Sequence, residues 1–75
     1  LGQPAEALSY YEGAVAHSAN DFTTPKFLYK AGVTAMELKQ NDKALKYFQR
    51  VKDEFSKSDQ ARTIDAFIGM AKSGK

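Results

Sequence analysis

Cysteine is absent from this sequence, which removes disulfide frameworks, thiolate zinc sites and cysteine nucleophiles together and leaves the redox compartment open. No stretch approaches the roughly 18–20 continuous apolar residues of a membrane-spanning helix. Glycine-rich phosphate loops, a nucleophile elbow and the HExxH pattern are all missing. Asp59 to Asp65 lacks the oxygen-ligand spacing and central glycine of a calcium loop. The one histidine, His17, has neither a cysteine nor an acid pair beside it, so a metal site or a catalytic triad lacks its other members. The net charge is only +2, from 11 basic and 9 acidic residues scattered along the chain, too small and too mixed for a dedicated DNA or RNA surface. The expectation is a non-enzymatic protein with no cofactor, no metal and no nucleic-acid partner.

What is present has the balance of an ordinary folded domain, with 43% hydrophobic and 27% charged residues. At 75 residues there is room for one small domain that buries about 60–65% of its unfolded surface, so stability is expected to be marginal. Leu1 starts in mid-pattern, without an initiator Met or a signal-peptide layout. The chain therefore reads as cut from something longer, with any targeting segment upstream.

Four helices are predicted. Pro4 suits a first helical position, and Leu8, Tyr11 and Val15 recur at helical spacing with Ala7 and Ala14 beside them, placing helix one at about 4–19. The run Asn20-Asp21-Phe22-Thr23-Thr24 is rich in turn formers, and Thr24 before Pro25 reads as an N-cap followed by proline at N1. Helix two then runs to about Lys39 with an apolar stripe of Leu28, Ala31, Gly32, Ala35 and Leu38. Asn41, with Asp42 behind it, is expected to cap helix three at about 42–55, whose stripe is Ala44, Leu45, Phe48, Val51 and Phe55. Ser58 and Asp59 open a fourth helix with Ala61, Ile64, Ile68 and Ala71 inward, and Gly74 is its expected stop. No alternating apolar run reaches strand length.

The chain also repeats itself. Residues 1–11, LGQPAEALSYY, lie over residues 38–48, LKQNDKALKYF, at an offset of 37 that carries Ala7 onto Ala44 and Ala14 onto Val51. Helix-turn-helix repeats recur at about 34 residues, and the loop at 20–24 accounts for the excess. The series Leu28, Ala31-Gly32, Ala35, Ala44, Phe48 and Val51 resembles the signature of the tetratricopeptide repeat (TPR). Two positions depart from it: Lys39 stands where the tight turn usually has Gly, and Ser56 replaces the closing Pro. The resemblance implies an all-α, right-handed superhelix of antiparallel helix pairs. Residues 1–19 would form the second helix of a partial repeat, 25–57 a complete repeat and 58–73 a capping helix. A plain helical hairpin bundle is the alternative.

Such an array implies a scaffold that binds a polypeptide partner on the concave face lined by the first helix of each repeat. The alternative is a structural end-cap or oligomer contact of a longer array. Residues 18–25 and 61–68 are also similar to the C-terminal repeats of bacterial envelope TPR proteins, the ancillary translocon subunit among them. That similarity implies a chaperone-like role on the periplasmic side of the inner membrane, reached through an upstream anchor. A cytoplasmic location is the alternative.

On helix two, Tyr29, Val33 and Met36 form a second apolar stripe beside the core stripe, flanked by Lys26 and Lys30. A helix apolar on two faces either packs on both or offers one to a partner. These five residues are the predicted partner-binding set, with packing by helix one or helix four as the alternative for the apolar three. Lys26 and Lys30 also match two basic positions of carboxylate-clamp TPR domains, although Tyr29 and Val33 are not polar as that clamp requires. Lys43, Lys46 and Arg50 make a basic stripe read as a solvated face, with an acidic partner or anionic lipid surface as the alternative. Asp53 and Glu54 are read as ion-pair partners of Arg50 and Lys57. The incomplete N-terminal repeat predicts self-association or fraying at residues 1–15.

Overall fold

Turn chemistry decides where each helix starts and stops. In the computed structural model, which describes residues 3–17 and 20–73, the helices are α1 (Pro4–His17), α2 (Thr24–Glu37), α3 (Asn41–Glu54) and α4 (Ile64–Ser73), with a 3₁₀ turn at Gln60–Arg62 ahead of α4. No strand occurs among the described residues. Positions 18, 19 and 74, which the sequence reading assigned to the end of helix one and to the stop of helix four, lie outside the described residues.

The N-cap of α2 is not Thr24. Thr23 already has helical dihedrals (φ −90°, ψ −33°), and a capping residue sits outside the helical region. Asn20 does the capping three residues earlier. Its Oδ1 accepts the amides of Phe22 (2.6 Å) and Thr23 (3.1 Å), and its carbonyl accepts the Thr24 amide at 2.9 Å. Pro25 then interrupts the ladder because it has no amide to donate, so the regular helix is counted from Thr24.

The α2–α3 turn replaces the expected Asn41 cap with a backbone device. The Gln40 amide bonds to the Ala35 carbonyl at 2.8 Å and the Lys39 amide to Met36 at 3.0 Å, the paired bonds of a Schellman stop. That geometry puts Lys39 at φ +63°, which is why α2 ends at Glu37 and not at Lys39. Gln40 flanks α3 without a side-chain bond, and Asn41 is already the first helical residue. After α3, Ser58 behaves as its sequence position predicts: its hydroxyl donates to the Phe55 carbonyl (2.7 Å) and accepts the Ala61 amide (3.3 Å). The turn it opens is 3₁₀, with the α-helix following from Ile64.

Short connections make consecutive helices antiparallel neighbours. α2 packs against α1 and α3, and α3 packs against α2 and α4. The thinnest dimension is 16 Å, as two layers of helix axes about 8–10 Å apart require. The core is Leu8 from α1, Leu28, Ala31 and Ala35 from α2, Ala44, Phe48 and Val51 from α3, and Ile64, Ile68 and Ala71 from α4. Tyr11, Val15, Leu38, Leu45, Phe55 and Ala61 pack only partly buried around it.

The small residues of α2 are there for one ring. A Cβ placed on Gly32 would lie 2.7 and 2.8 Å from Cζ and Cδ1 of Phe48, and closer still to Cε1. Contacts this short are not tolerated between non-bonded carbons, and Phe48 is fully buried, so the ring cannot swing aside without opening the core.

Lys39 carries a removable strain. A left-handed residue with a Cβ costs about 1–2 kcal/mol, whereas glycine there costs roughly 0.5–1 kcal/mol of extra chain entropy. Lys39→Gly is therefore expected to raise stability by up to about 1 kcal/mol, and Lys39→Val to lower it. Urea denaturation of both variants checks this; a Lys39→Gly protein less stable than the parent contradicts the account of the turn.

Candidate functional site

Along α2 the side chains sort by angle around the helix. Leu28, Ala31, Gly32 and Ala35 are buried, Tyr29, Val33 and Met36 are half-buried, and Lys26 and Lys30 are exposed. The three apolar residues of the predicted site thus sit on the flank of the core and do not stand free of it.

Tyr29 shows the reason. Its ring meets Phe67 of α4 edge-on (centroids 5.1 Å apart, planes at 88°) and lies tilted 6.5 Å from Phe48, while Phe48 and Phe67 are themselves 5.6 Å apart. Edge-to-face aromatic contacts of this kind are favourable beyond the area they bury. The triad ties α2, α3 and α4 together, so for Tyr29 packing by helix four holds in large part. Val33 and Met36 lie against the margin of the core and keep part of their surface open. They continue the apolar strip along α2.

Lys26 does not point into open water. Its Nζ stands 4.1 Å from the ring centroid of Phe22, a cation–π arrangement, and Phe22 remains 68% exposed at the tip of the Asn20-capped turn. Both residues line a cleft of about 650 Å³ between that turn and the loop after α3, together with Asp21, Phe55, Lys57 and Asp59. Lys26 is one helical turn from Tyr29 and Lys30, so the strip runs into the cleft at this residue. Two residues beside this strip were missed by the sequence reading: Phe67, on α4 next to Ile68 of its stripe and in ring contact with Tyr29, and Phe22, which was counted as loop.

Three ion pairs lie on the surface among the described residues. Lys43 reaches Glu12 at 3.6 Å and Arg50 reaches Glu54 at 3.3 Å, so two of the three cations in the α3 basic stripe have a local acid. Asp53 accepts from Gln49 at 3.1 Å in place of the expected Arg50 or Lys57. Lys52 pairs with Asp65 across α3 and α4 at 2.9 Å, and that partner holds its amine above the usual lysine range, hydrogen bonding first and charge second. His17 is exposed in the last turn of α1. Among the described residues no group of three or more His, Asp or Glu is placed to hold a metal ion, and no helix is long and apolar enough to cross a membrane.

Glu12 joins α1 to α3 twice, through Lys43 and through the Tyr47 hydroxyl, which donates to Glu12 Oε2. Burial first, and then this hydrogen bond and the charge of Glu12, push the Tyr47 phenol up to about 12, with Arg50 acting the other way.

Residues 27–58 match the tetratricopeptide repeat family model. The match runs from the first turn of α2 through the whole of α3 to Ser58, the hairpin whose contact is Gly32 against Phe48, and the four-helix arrangement is that of a TPR-like fragment. Repeats of this family are as a class protein-interaction modules. No curated protein and no solved structure gives a significant match to the chain.

The raised phenol predicts an alkaline instability of defined sign. A tyrosine that loses its proton near 10 when unfolded and at about 12 when folded contributes stability that is complete below pH 10 and lost as pH rises through 12. Lysines titrate in the same window, so the comparison is with Tyr47→Phe. The parent is expected to lose more stability than this variant between pH 9.5 and about 12 in chemical denaturation; parallel curves would contradict the Tyr47–Glu12 bond.

Proposed function

We propose that this helical array binds an extended segment of another polypeptide along the flank of α2. The observation that carries the reading is the second apolar strip of α2, Val33 and Met36 with the outer edge of Tyr29, half-buried beside an already complete core stripe and flanked by the exposed cations Lys26 and Lys30. In a stack of helix pairs this flank belongs to the first helix of the repeat, the one that lines the concave face. A thioether and an aliphatic side chain accept varied apolar partners, and the two lysines favour acidic or C-terminal segments. Phe67, in edge contact with Tyr29, extends the strip onto α4.

A second reading is favoured by one further observation. Spaced 36 residues on from Leu28, Ala31, Gly32 and Ala35 are Ile64, Phe67, Ile68 and Ala71. Ile68 thus stands where Gly32 makes room for Phe48, which supports a role for α4 in closing the stack. Both roles are compatible in one molecule. The resemblance of residues 18–25 and 61–68 to envelope repeats supports a place on the periplasmic side of a bacterial inner membrane. A full-length gene lacking both a membrane helix and a signal peptide contradicts that location.

Selection from a library of random 12-residue peptides tests the groove. Bound peptides are expected to be rich in acidic and apolar residues. Lys26→Glu with Lys30→Glu is expected to weaken their binding at least tenfold, about 1.4 kcal/mol, with stability lowered by no more than about 1 kcal/mol, the loss of the Lys26–Phe22 contact. Val33→Gln with Met36→Gln is expected to abolish it. Selected peptides that bind the charge-reversed protein equally well, or an absence of any selection, overturns the proposal.

A further inference from the structure

The cleft beside Lys26 falls between the 20–23 turn, which follows α1, and the 55–59 loop, which follows α3. Two aromatic side chains line it, Phe55, which is half-buried, and Phe22, which is exposed. Its volume of about 650 Å³ lies within the roughly 300–1,000 Å³ of ligand sites.

The charges around this cleft favour one kind of occupant. Asp21, Glu54 and Asp59 line it against Lys26 and Lys57, an excess of one negative charge on a chain whose net charge is +2. Two of these five groups are engaged already, Glu54 with Arg50 at 3.3 Å and Lys26 with the Phe22 ring. The side chains of Asp21, Asp59 and Lys57 form no ion pair among the described residues, and Asp59, although it precedes the 3₁₀ turn, makes no capping bond with its carboxylate. Two uncommitted carboxylates against one uncommitted ammonium call for a cation from a partner, since complementary charge is what fixes such contacts.

The aromatic lining selects among cations. Phe22 holds the Lys26 amine 4.1 Å from its ring centroid and still keeps 68% of its surface exposed, so ring surface is left for a second cation. A guanidinium is planar, stacks on aromatic faces, meets carboxylates with two bonds at once and is more weakly hydrated than an ammonium. Its methylene stem covers apolar surface, here Phe55, while the charged head stays in polar surroundings.

We propose that this cleft takes an arginine side chain of a partner polypeptide, its guanidinium paired with Asp21 and Asp59 and set against the open part of the Phe22 ring. The site shares only Lys26 with the flank of α2 proposed above. Lys26 opposes the bound cation in the cleft, whereas on that flank it favours an acidic segment.

The probe is the blocked tripeptide acetyl-Ala-Arg-Ala-amide, titrated into the intact chain and followed through its amide resonances. Citrulline, the neutral isostere, and glutamate replace the arginine in two control peptides. Expected are saturable shifts at Phe22, Lys57 and Asp59, and binding weakened about fivefold or more by citrulline or by Asp21→Asn with Asp59→Asn. Phe22→Leu, which keeps apolar bulk and loses the ring face, should weaken it about twofold. All three substituted side chains are exposed, and unchanged resonances away from the cleft check that the variants fold. Lys26→Glu with Lys30→Glu should tighten arginine binding, the opposite of its effect on acidic peptides, so the two proposals fail separately. No saturable shift, equal binding of the citrulline peptide, or equal binding by the Asp21→Asn, Asp59→Asn protein overturns the proposal. Binding of the glutamate peptide in place of the arginine one overturns it as well, by assigning the cleft to an anion held by Lys26 and Lys57.

Discussion

One aromatic ring seated against one glycine sets the geometry of this chain. Phe48 is fully buried, and its ring occupies the space that any side chain at position 32 would need. Burying such a ring is worth about 1.5–3 kcal/mol, a large share in a domain this small. The close approach holds α2 and α3 face to face, with Ala31, Ala35 and Ala44 keeping the rest of the seam narrow. The same ring lies against Phe67 and Tyr29, so α4 is oriented by the contact that joins α2 and α3. The turn chemistry follows: two helices this close need a three-residue reversal, and the chain makes it with Lys39 left-handed.

This arrangement couples fold and function on α2. Tyr29 is both a wall of the core and a member of the half-buried strip proposed to bind a partner, and its contact with Phe67 means that it cannot be removed without loosening α4. Val33 and Met36 are better separated from the core, and Lys26 and Lys30 better still. A gradient therefore runs around the helix, from buried residues that hold the fold to exposed ones that do not. Lys26, stacked on Phe22 and lining the cleft at the end of the hairpin, marks the solvent end of that gradient.

Much of this was legible in the sequence, and what was not has physical reasons. The buried stripes of α2, α3 and α4 follow the 3.6-residue period, whereas the seating of Phe48 on Gly32 emerged only with the helices in place. Helix ends were less legible. Thr24-Pro25 looked like a cap, but Asn20, four residues before Thr24, accepts the amides instead; Asn41 looked like a cap, but the Lys39 turn leaves it already inside α3. Periodicity within one helix says which residues face inward, not which neighbour covers them. That is why the pairing of Tyr29 with Phe67, and the exposed position of Phe22, emerged only when the helices were placed together. The ion pairs of the α3 stripe are a third case, since Lys43 finds its acid on α1, in a helix 31 residues away in sequence by Glu12.

The central claim is that position 32 must be glycine because of Phe48 and for no other reason. A double-mutant cycle of Gly32→Ala and Phe48→Leu, followed by urea denaturation, tests it directly. On helix propensity alone alanine at 32 should stabilise by about 1 kcal/mol. The account predicts instead that Gly32→Ala costs about 1–3 kcal/mol beside Phe48 and much less beside Leu, with a coupling of about 1 kcal/mol or more. Additive effects, or a Gly32→Ala protein as stable as the parent while Phe48 is in place, would contradict it.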